Sequence, residues 1–173
     1  MSLAPSGRDA AWLGVGIACG AAAVRYFSQP VTTIKLQPPG RVFKLAVAAE
    51  VEAFEKSGKI CSSLDRTDGF IHLSDRTSPP KVADLFFNGA KDLYLLEIDS
   101  TKLEGPVQWV AGVMGEGSPS ASTLASAQTT VHYLIADGCV HVYGAAGVSM
   151  SAVMQKEHVP LDGHGNHVFP VWL

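Results

Sequence analysis

Two short segments of the sequence each carry a histidine between apolar neighbours. His72 lies in GFIHLS, and His141 lies in CVHVYG. Because alternate residues of a strand point to the same face, His72 shares a face with Ser74, and His141 shares one with Tyr143. If the two strands are neighbours, we expect these four side chains to line one cleft. Imidazole, hydroxyl and phenol groups suit the binding of a phosphate or a ribose, or proton transfer.

The sequence contains no specific catalytic motif. It has no phosphate-binding glycine loop, no nucleophile elbow and no His-Glu zinc helix. A structural role for either strand histidine therefore remains an open alternative. His158, His164 and His167 crowd a turn near the C-terminus, and we interpret them as a solvated turn. We predict no metal site.

Composition limits the classes of function. The chain has 173 residues, which suggests one domain plus an appendage. Apolar residues make up 47% and charged residues only 17%, as in proteins that hide surface in a membrane or in partners. The net charge of −3 provides no basic field, so we predict no nucleic-acid partner. Cys19, Cys61 and Cys139 lack metal-ligand spacing, which leaves reduced thiols or one Cys61–Cys139 bridge.

The N-terminal segment is strongly apolar. Residues Ala10–Val24 contain no charge, and extension to Phe27 gives a helix of about 27 Å, close to the ~30 Å of a hydrocarbon layer. We predict a membrane span over Ala10–Phe27. A removable signal peptide, a targeting presequence and a buried helix remain alternatives. Gly16 and Gly20 form a small-xxx-small pair, which favours packing against another protein's helix.

Charges beside this segment predict an orientation. Arg25, Lys35, Arg41 and Lys44 come on its C-terminal side, where no acid occurs between the apolar run and Glu50. The positive-inside rule then places the globular domain on the cytoplasmic or matrix side. We expect the mitochondrial inner membrane, with the domain in the matrix, and another organelle membrane as the alternative. The expected partners are lipid and other membrane protein subunits, bound through the N-terminal helix and the 112–128 loop.

Three segments follow from these patterns: a transmembrane helix (1–28), a Pro-rich linker (29–41) and a globular domain (42–173). In the domain, strands outnumber helices and do not alternate with them regularly, which predicts an α+β fold. The predicted strands are Val42–Leu45, Phe70–Leu73, Leu93–Ile98, Val107–Val110, Val131–Ile135, Val140–Tyr143 and His167–Val171. The predicted helices are Ala48–Lys56, Val82–Asn88 and Ser149–Gln155, and Gly112–Gln128 is predicted as a long loop.

One long stretch resembles a known family. VFKLAVAAEVEAFEKSGKICSSLDRTDGFIHLSD resembles the opening of the family called domain of unknown function 952. LFFNGAKDLYLLEIDSTKL, VHVYGAAGVSMSAV and VPLDGHGNHVFP fit later parts in order, so the resemblance covers Val42 to Pro170. It implies a fold similar to ADP-ribosyltransferases and RNA 2′-phosphotransferases, with a split mixed β-sheet and short helices. The candidate ligand-binding positions it implies are Ser62, Ser63, His72, Ser74, His141 and Tyr143.

Three functional hypotheses follow. The preferred one is a single-span accessory (supernumerary) subunit of a membrane complex, such as the mitochondrial respiratory chain or ATP synthase, with a non-catalytic domain and no cofactor. This step is an analogy. The second is an enzyme of ADP-ribosyl-transfer type that holds NAD or a phospho-ribose, with His72 and His141 against the ribose or phosphate. The third is a nucleotide-binding sensor without turnover.

Overall fold

The computed structural model of the protein describes residues 36–144 and 147–173. The predicted membrane span and its Gly16/Gly20 pair, with most of the predicted linker, lie outside these residues. The described residues belong to one compact unit. Its α-helices and strands, in chain order, are β1 (Arg41–Val47), α1 (Ala48–Ser57), β2 (Lys59–Ile60), α2 (Ser63–Asp68), β3 (Ile71–Ser74), α3 (Pro79–Phe86), β4 (Leu93–Asp99), β5 (Val107–Gly112), α4 (Ala121–Leu124), β6 (Thr129–Leu134), β7 (Cys139–Tyr143), β8 (Val148–Ser149) and β9 (Val153–His158). Two 3-10 helices lie at Ser100–Lys102 and Met150–Ala152.

Seven of these strands form one mixed sheet, in the order β5-β6-β7-β3-β1-β4-β9. Only β5 and β6 pair in parallel, and the other neighbours are antiparallel. β2 and β8 form a separate two-stranded sheet. Together with the short helices, this arrangement confirms the predicted α+β class with a mixed sheet.

The large sheet is nearly divided between β1 and β3. These strands share a single pair of partners, Phe43 and Ser74. By contrast, β1 pairs with β4 along its whole length, from Arg41 to Val47. β3 likewise pairs with β7 along its whole length. The two halves of the sheet therefore separate on one side of the Phe43–Ser74 pair.

Apolar side chains cover both faces of the sheet. On one face, Val51 and Phe54 of α1 pack into a core that includes Val42 and Ala46 of β1. On the other face, Ala83 of α3 joins a smaller core with residues of β1 and β4. The positions in β1 alternate between the two cores, as the two-residue period of a strand requires. This alternation fixes which side chains of β1 reach each face.

Local sequence features mark both ends of α1. The Glu50 side chain accepts a hydrogen bond from the backbone N–H of Val47 at the start of the helix. Gly58 follows with φ 71°, the left-handed conformation that ends many helices.

The predicted C-terminal elements are wrong in two places. Ser149–Gln155 is not an α-helix: only Met150–Ala152 form a 3-10 turn, and from Val153 the chain enters β9, where hydrogen bonds to β4 override the helical pattern. His167–Val171 is not a strand, and only an isolated bridge joins His167 to Leu161. The structure also contains three elements that were not among the predicted ones: α2, β2 and, within the predicted 112–128 loop, α4.

No helix in residues 36–144 and 147–173 is both long and apolar enough to cross a membrane. The longest helix of these residues, α1, has 10 residues, and a span needs about 20.

Truncation of Phe54 tests the docking of α1. Its side chain is only 1% exposed, so Phe54→Ala should lower the free energy of unfolding by about 3–5 kcal/mol. Urea denaturation followed by circular dichroism measures this. Glu52→Ala, at an exposed position of the same helix, is the control and should change it by less than about 0.5 kcal/mol. A loss of under about 1 kcal/mol for Phe54→Ala would contradict the described packing.

Candidate functional site

The site begins with the first turn of α2. The Ser62 hydroxyl accepts a hydrogen bond from the backbone N–H of Asp65 at 3.1 Å. Asp65 Oδ2 in turn accepts one from the backbone N–H of Ser62 at 2.8 Å. This reciprocal pair is a capping box, with aspartate in the place usually taken by glutamate or glutamine. It turns the Asp65 carboxylate toward the gap between β1 and β3.

The Asp65 carboxylate joins the two strands on either side of the gap. Lys44 of β1 donates to its two oxygens at 3.0 and 2.8 Å. His72 of β3 donates its backbone N–H to Oδ1 at 2.9 Å, and its ring Nδ1 lies 2.8 Å from the same oxygen. The side chains of Lys44 and Asp65 are 6% and 0% exposed. Burial alone would raise the pKa of Asp65, but the hydrogen bonds from His72 and the charge of Lys44 outweigh it and hold the pKa far below its usual range.

This contact fixes the orientation of the His72 ring. Since an ionised carboxylate only accepts hydrogen bonds, Nδ1 must carry the proton that faces Asp65. Nε2 is then the ring nitrogen that Asp65 does not hold. It lies 3.2 Å from Oδ2 of Asp68. An imidazole oriented by a buried carboxylate is a common arrangement for general acid–base catalysis.

Three histidines lie side by side across neighbouring strands. His141 of β7 is the direct partner of His72 on one side and of His132 on the other. Its ring centroid lies 5.5 Å from that of His72 and 6.5 Å from that of His132. Burial, with the neighbouring His72 and His132, lowers the pKa of His141 to about 4. His141 is therefore a neutral imidazole near pH 7, able both to donate and to accept a hydrogen bond.

A cavity of about 640 Å³ opens where the sheet divides. We call it the histidine cavity. Its polar lining residues are Lys44, Glu50, Ser62, Asp68, His72, Ser74 and His141. Its apolar lining includes Phe43, Leu45, Leu64, Val82, Phe86, Phe87 and Met114. This volume is in the range of small-molecule sites, and the mainly apolar lining with a few polar groups is typical of them.

The structure brings most of the predicted site residues together. Ser62, His72, Ser74 and His141 all line the histidine cavity. Tyr143 is not among the lining residues: its ring packs against Phe70, and its hydroxyl donates to Ser118 at 3.2 Å. Phe70 also packs against both His72 and His141.

Ser63 lies outside the histidine cavity. It is the exposed first residue of α2, and its carbonyl accepts a hydrogen bond from Thr67. That the candidate residues bind a ligand stays a prediction.

Sequence reasoning missed Asp65 and Lys44. The signal for Asp65 was present, because a serine followed three residues later by an acid indicates a capping box. Lys44 gave no signal, since a lysine in a strand pattern is normally an exposed residue.

Cys61 and Cys139 are free thiols, not a disulfide. Within residues 36–144 and 147–173, no group of histidine, cysteine and acidic side chains is arranged to hold a metal ion.

The family resemblance is confirmed by comparison with known proteins. The family model described as "Protein of unknown function (DUF952)" matches residues 45–156. The chain belongs to this family. No curated protein matches it.

Among solved structures, the chain is similar to a crystal structure of protein CC0527 from Caulobacter crescentus. The two are 23% identical with a TM-score of 0.52, over 74% of this chain and 93% of that one. A double mutant of the same bacterial protein gives 22% identity, a TM-score of 0.52 and the same coverage. At this identity, the similarity concerns the fold alone.

These findings correct the predicted localisation. The similar solved structures are of a bacterial protein, and no helix of the described residues could cross a membrane. The prediction of a protein of the mitochondrial inner membrane, or of another organelle membrane, is therefore wrong. It was built on the composition of residues 10–27, which the described residues do not include.

Replacement of Asp65 tests the centre of the site. Asp65→Asn leaves Lys44 buried without a counter-charge and turns one acceptor into a donor, so it should cost about 3–5 kcal/mol of unfolding free energy. Because the folded pKa of Asp65 is depressed, its contribution is present above about pH 4 and is lost as the pH falls further. The variant should lack that part of the pH dependence.

Urea unfolding between about pH 2 and pH 7 measures both effects of Asp65→Asn. Asp68→Asn, at a partly exposed carboxylate on the same helix, is the matched control and should cost less than about 1 kcal/mol. Equal losses for the two variants would show that the buried pair does not hold the gap together.

The protonation of His141 gives a second test. In a nuclear magnetic resonance titration, its ring should stay neutral until the pH falls to about 4. Since a free histidine titrates near 6.5, the unfolded chain binds the proton first, and stability should fall as the pH drops from about 6.5 to about 4. His141→Phe should reduce that fall. A titration midpoint near 6.5 would mean that the ring is not buried beside its neighbours.

Proposed function

We propose that the protein is an enzyme that binds a nucleotide of the NAD or phospho-ribose class in the histidine cavity. In this proposal, His72 acts as the general acid or base through Nε2. The observation that carries the proposal is the Asp65–His72 pair at the wall of the cavity, with 2.8 Å between Oδ1 and Nδ1. An imidazole held in this way is ready for proton transfer, whereas a purely structural histidine needs no access to a cavity.

The polar groups of the cavity support a sugar as the bound moiety. The carboxylates of Asp68 and Glu50 can accept hydrogen bonds from ribose hydroxyls. Neutral His141 can donate or accept, and Ser74 offers a hydroxyl between the two halves of the sheet. The apolar lining can hold a flat ring next to the sugar. These features match a nucleoside better than an isolated anion.

We also propose that the divided sheet is of the ADP-ribosyltransferase-like type that the family resemblance implies. The support is the single residue pair between β1 and β3, which separates the mixed sheet into two halves. The candidate ligand residues lie along that division.

The accessory-subunit hypothesis is less well supported. It depended on a membrane localisation that has been corrected and on a cleft unfit for catalysis. An oriented acid–base pair beside an open cavity instead favours the enzyme hypothesis. A nucleotide-binding sensor would use the same cavity without turnover, so a test for turnover separates the two.

Ligand titration tests the proposal. Isothermal titration calorimetry of the full-length protein with NAD and with ADP-ribose should give saturable binding with a dissociation constant below about 1 mM. His72→Ala removes one hydrogen bond to the ligand, so it should raise the dissociation constant about tenfold. His164→Ala, in an exposed turn, is the matched control and should leave binding unchanged.

Chromatography of NAD incubated with the protein then tests turnover. Release of nicotinamide by the wild type, lost in His72→Ala, supports the enzyme. Binding without release supports the sensor. If neither NAD nor ADP-ribose binds at about 5 mM, the proposed function is overturned.

A further inference from the structure

A second cavity lies beside the histidine cavity and shares Phe43 as a wall. Its volume is about 300 Å³. We call it the arginine cavity, because Arg41 and Arg76 are the cationic residues among those that line it. The sheet pair that separates the two cavities is Phe43–Ser74, and Ser74 lines the first cavity while its neighbour Asp75 lines the second.

The acidic groups of the arginine cavity already have their hydrogen-bond donors. Glu97, only 1% exposed, accepts from Arg41 at 2.7 Å and from Gln155 at 2.5 Å, one on each oxygen. Asp75 accepts from the Tyr133 hydroxyl at 2.7 Å on one oxygen and from Thr77 on the other. Burial and this bond to Asp75 raise the pKa of Tyr133 to about 12, so its hydroxyl remains a donor. Each oxygen of these two carboxylates therefore already accepts from a protein donor.

The two arginines of this cavity, by contrast, have N–H donors without a protein acceptor in the part of the chain that the structure describes. A guanidinium carries five N–H donors. Within the described residues, Arg41 uses one hydrogen bond, to Glu97, and Arg76 uses one, to the carbonyl of Trp172 at 2.9 Å. The Arg41 side chain is 57% exposed. The cavity thus has an excess of unused donors over unused acceptors, which favours an anion with several oxygen atoms.

Trp172 gives this cavity a fixed flat wall. Its ring stacks on Phe43 with 6.4 Å between centroids and 20° between planes. Its Nε1 donates to Glu157 at 2.6 Å, and its carbonyl is held by Arg76. Two contacts of the indole and one of the backbone carbonyl, each with a separate part of the chain, therefore hold Trp172 in place.

The spacing of the two cavities fits one ligand with two different ends. Phe43 and Ser74 are opposite each other, so Arg41 lies two residues beyond the pair on one side and His72 lies two residues beyond it on the other. At about 3.3 Å per residue, this is a separation of about 13 Å along the strands. A single sugar cannot span it, whereas a sugar joined to a diphosphate can.

We propose that the arginine cavity binds the phosphate groups of a nucleotide, with Arg41 and Arg76 as the phosphate-binding residues. This inference rests on the proposed function, because it assigns the sugar end of the same ligand to the histidine cavity. It narrows the ligand class to nucleoside diphosphate sugars.

Three probes separate the two cavities in calorimetry of the full-length protein. ADP-ribose has both ends, nicotinamide riboside lacks phosphate, and inorganic pyrophosphate lacks the sugar. Arg76→Gln should weaken ADP-ribose and pyrophosphate about tenfold and leave nicotinamide riboside within about twofold. His72→Ala should weaken the two sugar-containing probes and leave pyrophosphate unchanged.

Two further variants control for charge and for folding. Arg66→Gln removes another exposed arginine that also donates to one backbone carbonyl, that of Cys61, and it should change none of the three affinities. Arg41→Lys keeps a cation beside buried Glu97 but loses the forked donor geometry, so it should weaken pyrophosphate while the unfolding temperature stays nearly constant.

The outcomes distinguish this inference from the proposed function. If ADP-ribose and nicotinamide riboside bind but Arg76→Gln affects neither ADP-ribose nor pyrophosphate, the phosphate assignment is overturned and the proposed function stands. If pyrophosphate binds with dependence on Arg76 but neither sugar probe binds, the phosphate assignment is supported and the proposed function is overturned. Equal weakening of all probes by Arg66→Gln would mean that the binding is non-specific electrostatics, which overturns the assignment.

Discussion

The Asp65 carboxylate connects parts of the molecule that backbone hydrogen bonds leave apart. β1 and β3 share one residue pair, and beyond it the sheet has no ladder to hold its halves in register. Asp65 replaces the missing ladder by accepting from Lys44 on one strand and from His72 on the other. Burial of a carboxylate costs several kcal/mol. Four donor atoms, including the backbone N–H of Ser62, offset that cost.

Stability alone does not explain why a charged group occupies this position. Apolar side chains of similar volume often replace a buried ion pair without loss, and sometimes with a gain. A leucine at position 65 could fill the gap, but it could not accept the hydrogen bond from Nδ1–H of His72 or fix the plane of that ring. The interaction that closes the sheet is thus the same one that orients the candidate acid–base group. A displacement of β1 relative to β3 would separate Lys44 from His72 and break the contact of one of them with Asp65. The geometry of the site therefore depends on how the sheet divides.

Which parts of the structure could be predicted from the sequence depends on how many residues each sequence pattern spans. The two-residue period of a strand placed His72 and Ser74 on one face, and the structure indeed has β3 and β7 as neighbours, with His141 opposite His72. Asp65 escaped notice because α2 has only six residues, too few for an apolar period to be recognised. The error at Ser149–Gln155 has a different cause, since the helical conformation ends after a 3-10 turn and the residues from Val153 onward pair with β4 in the sheet. The expected membrane localisation came from composition alone, without any information on tertiary contacts.

The distribution of donors and acceptors gives the two cavities different chemical preferences. The residues that line the histidine cavity include the acids Asp68 and Glu50, and the Lys44 ammonium there is already paired with Asp65. The lining therefore favours hydroxyl donors over an anion. At the arginine cavity, Glu97 and Asp75 are occupied by protein donors, and the remaining N–H groups of Arg41 and Arg76 attract an anion. A phosphate group is therefore bound more favourably beside the arginines than beside His72, and a neutral sugar would gain little beside the arginines. A ligand with a sugar at one end and a diphosphate at the other matches both cavities in only one orientation. In that orientation its sugar lies next to Nε2 of His72.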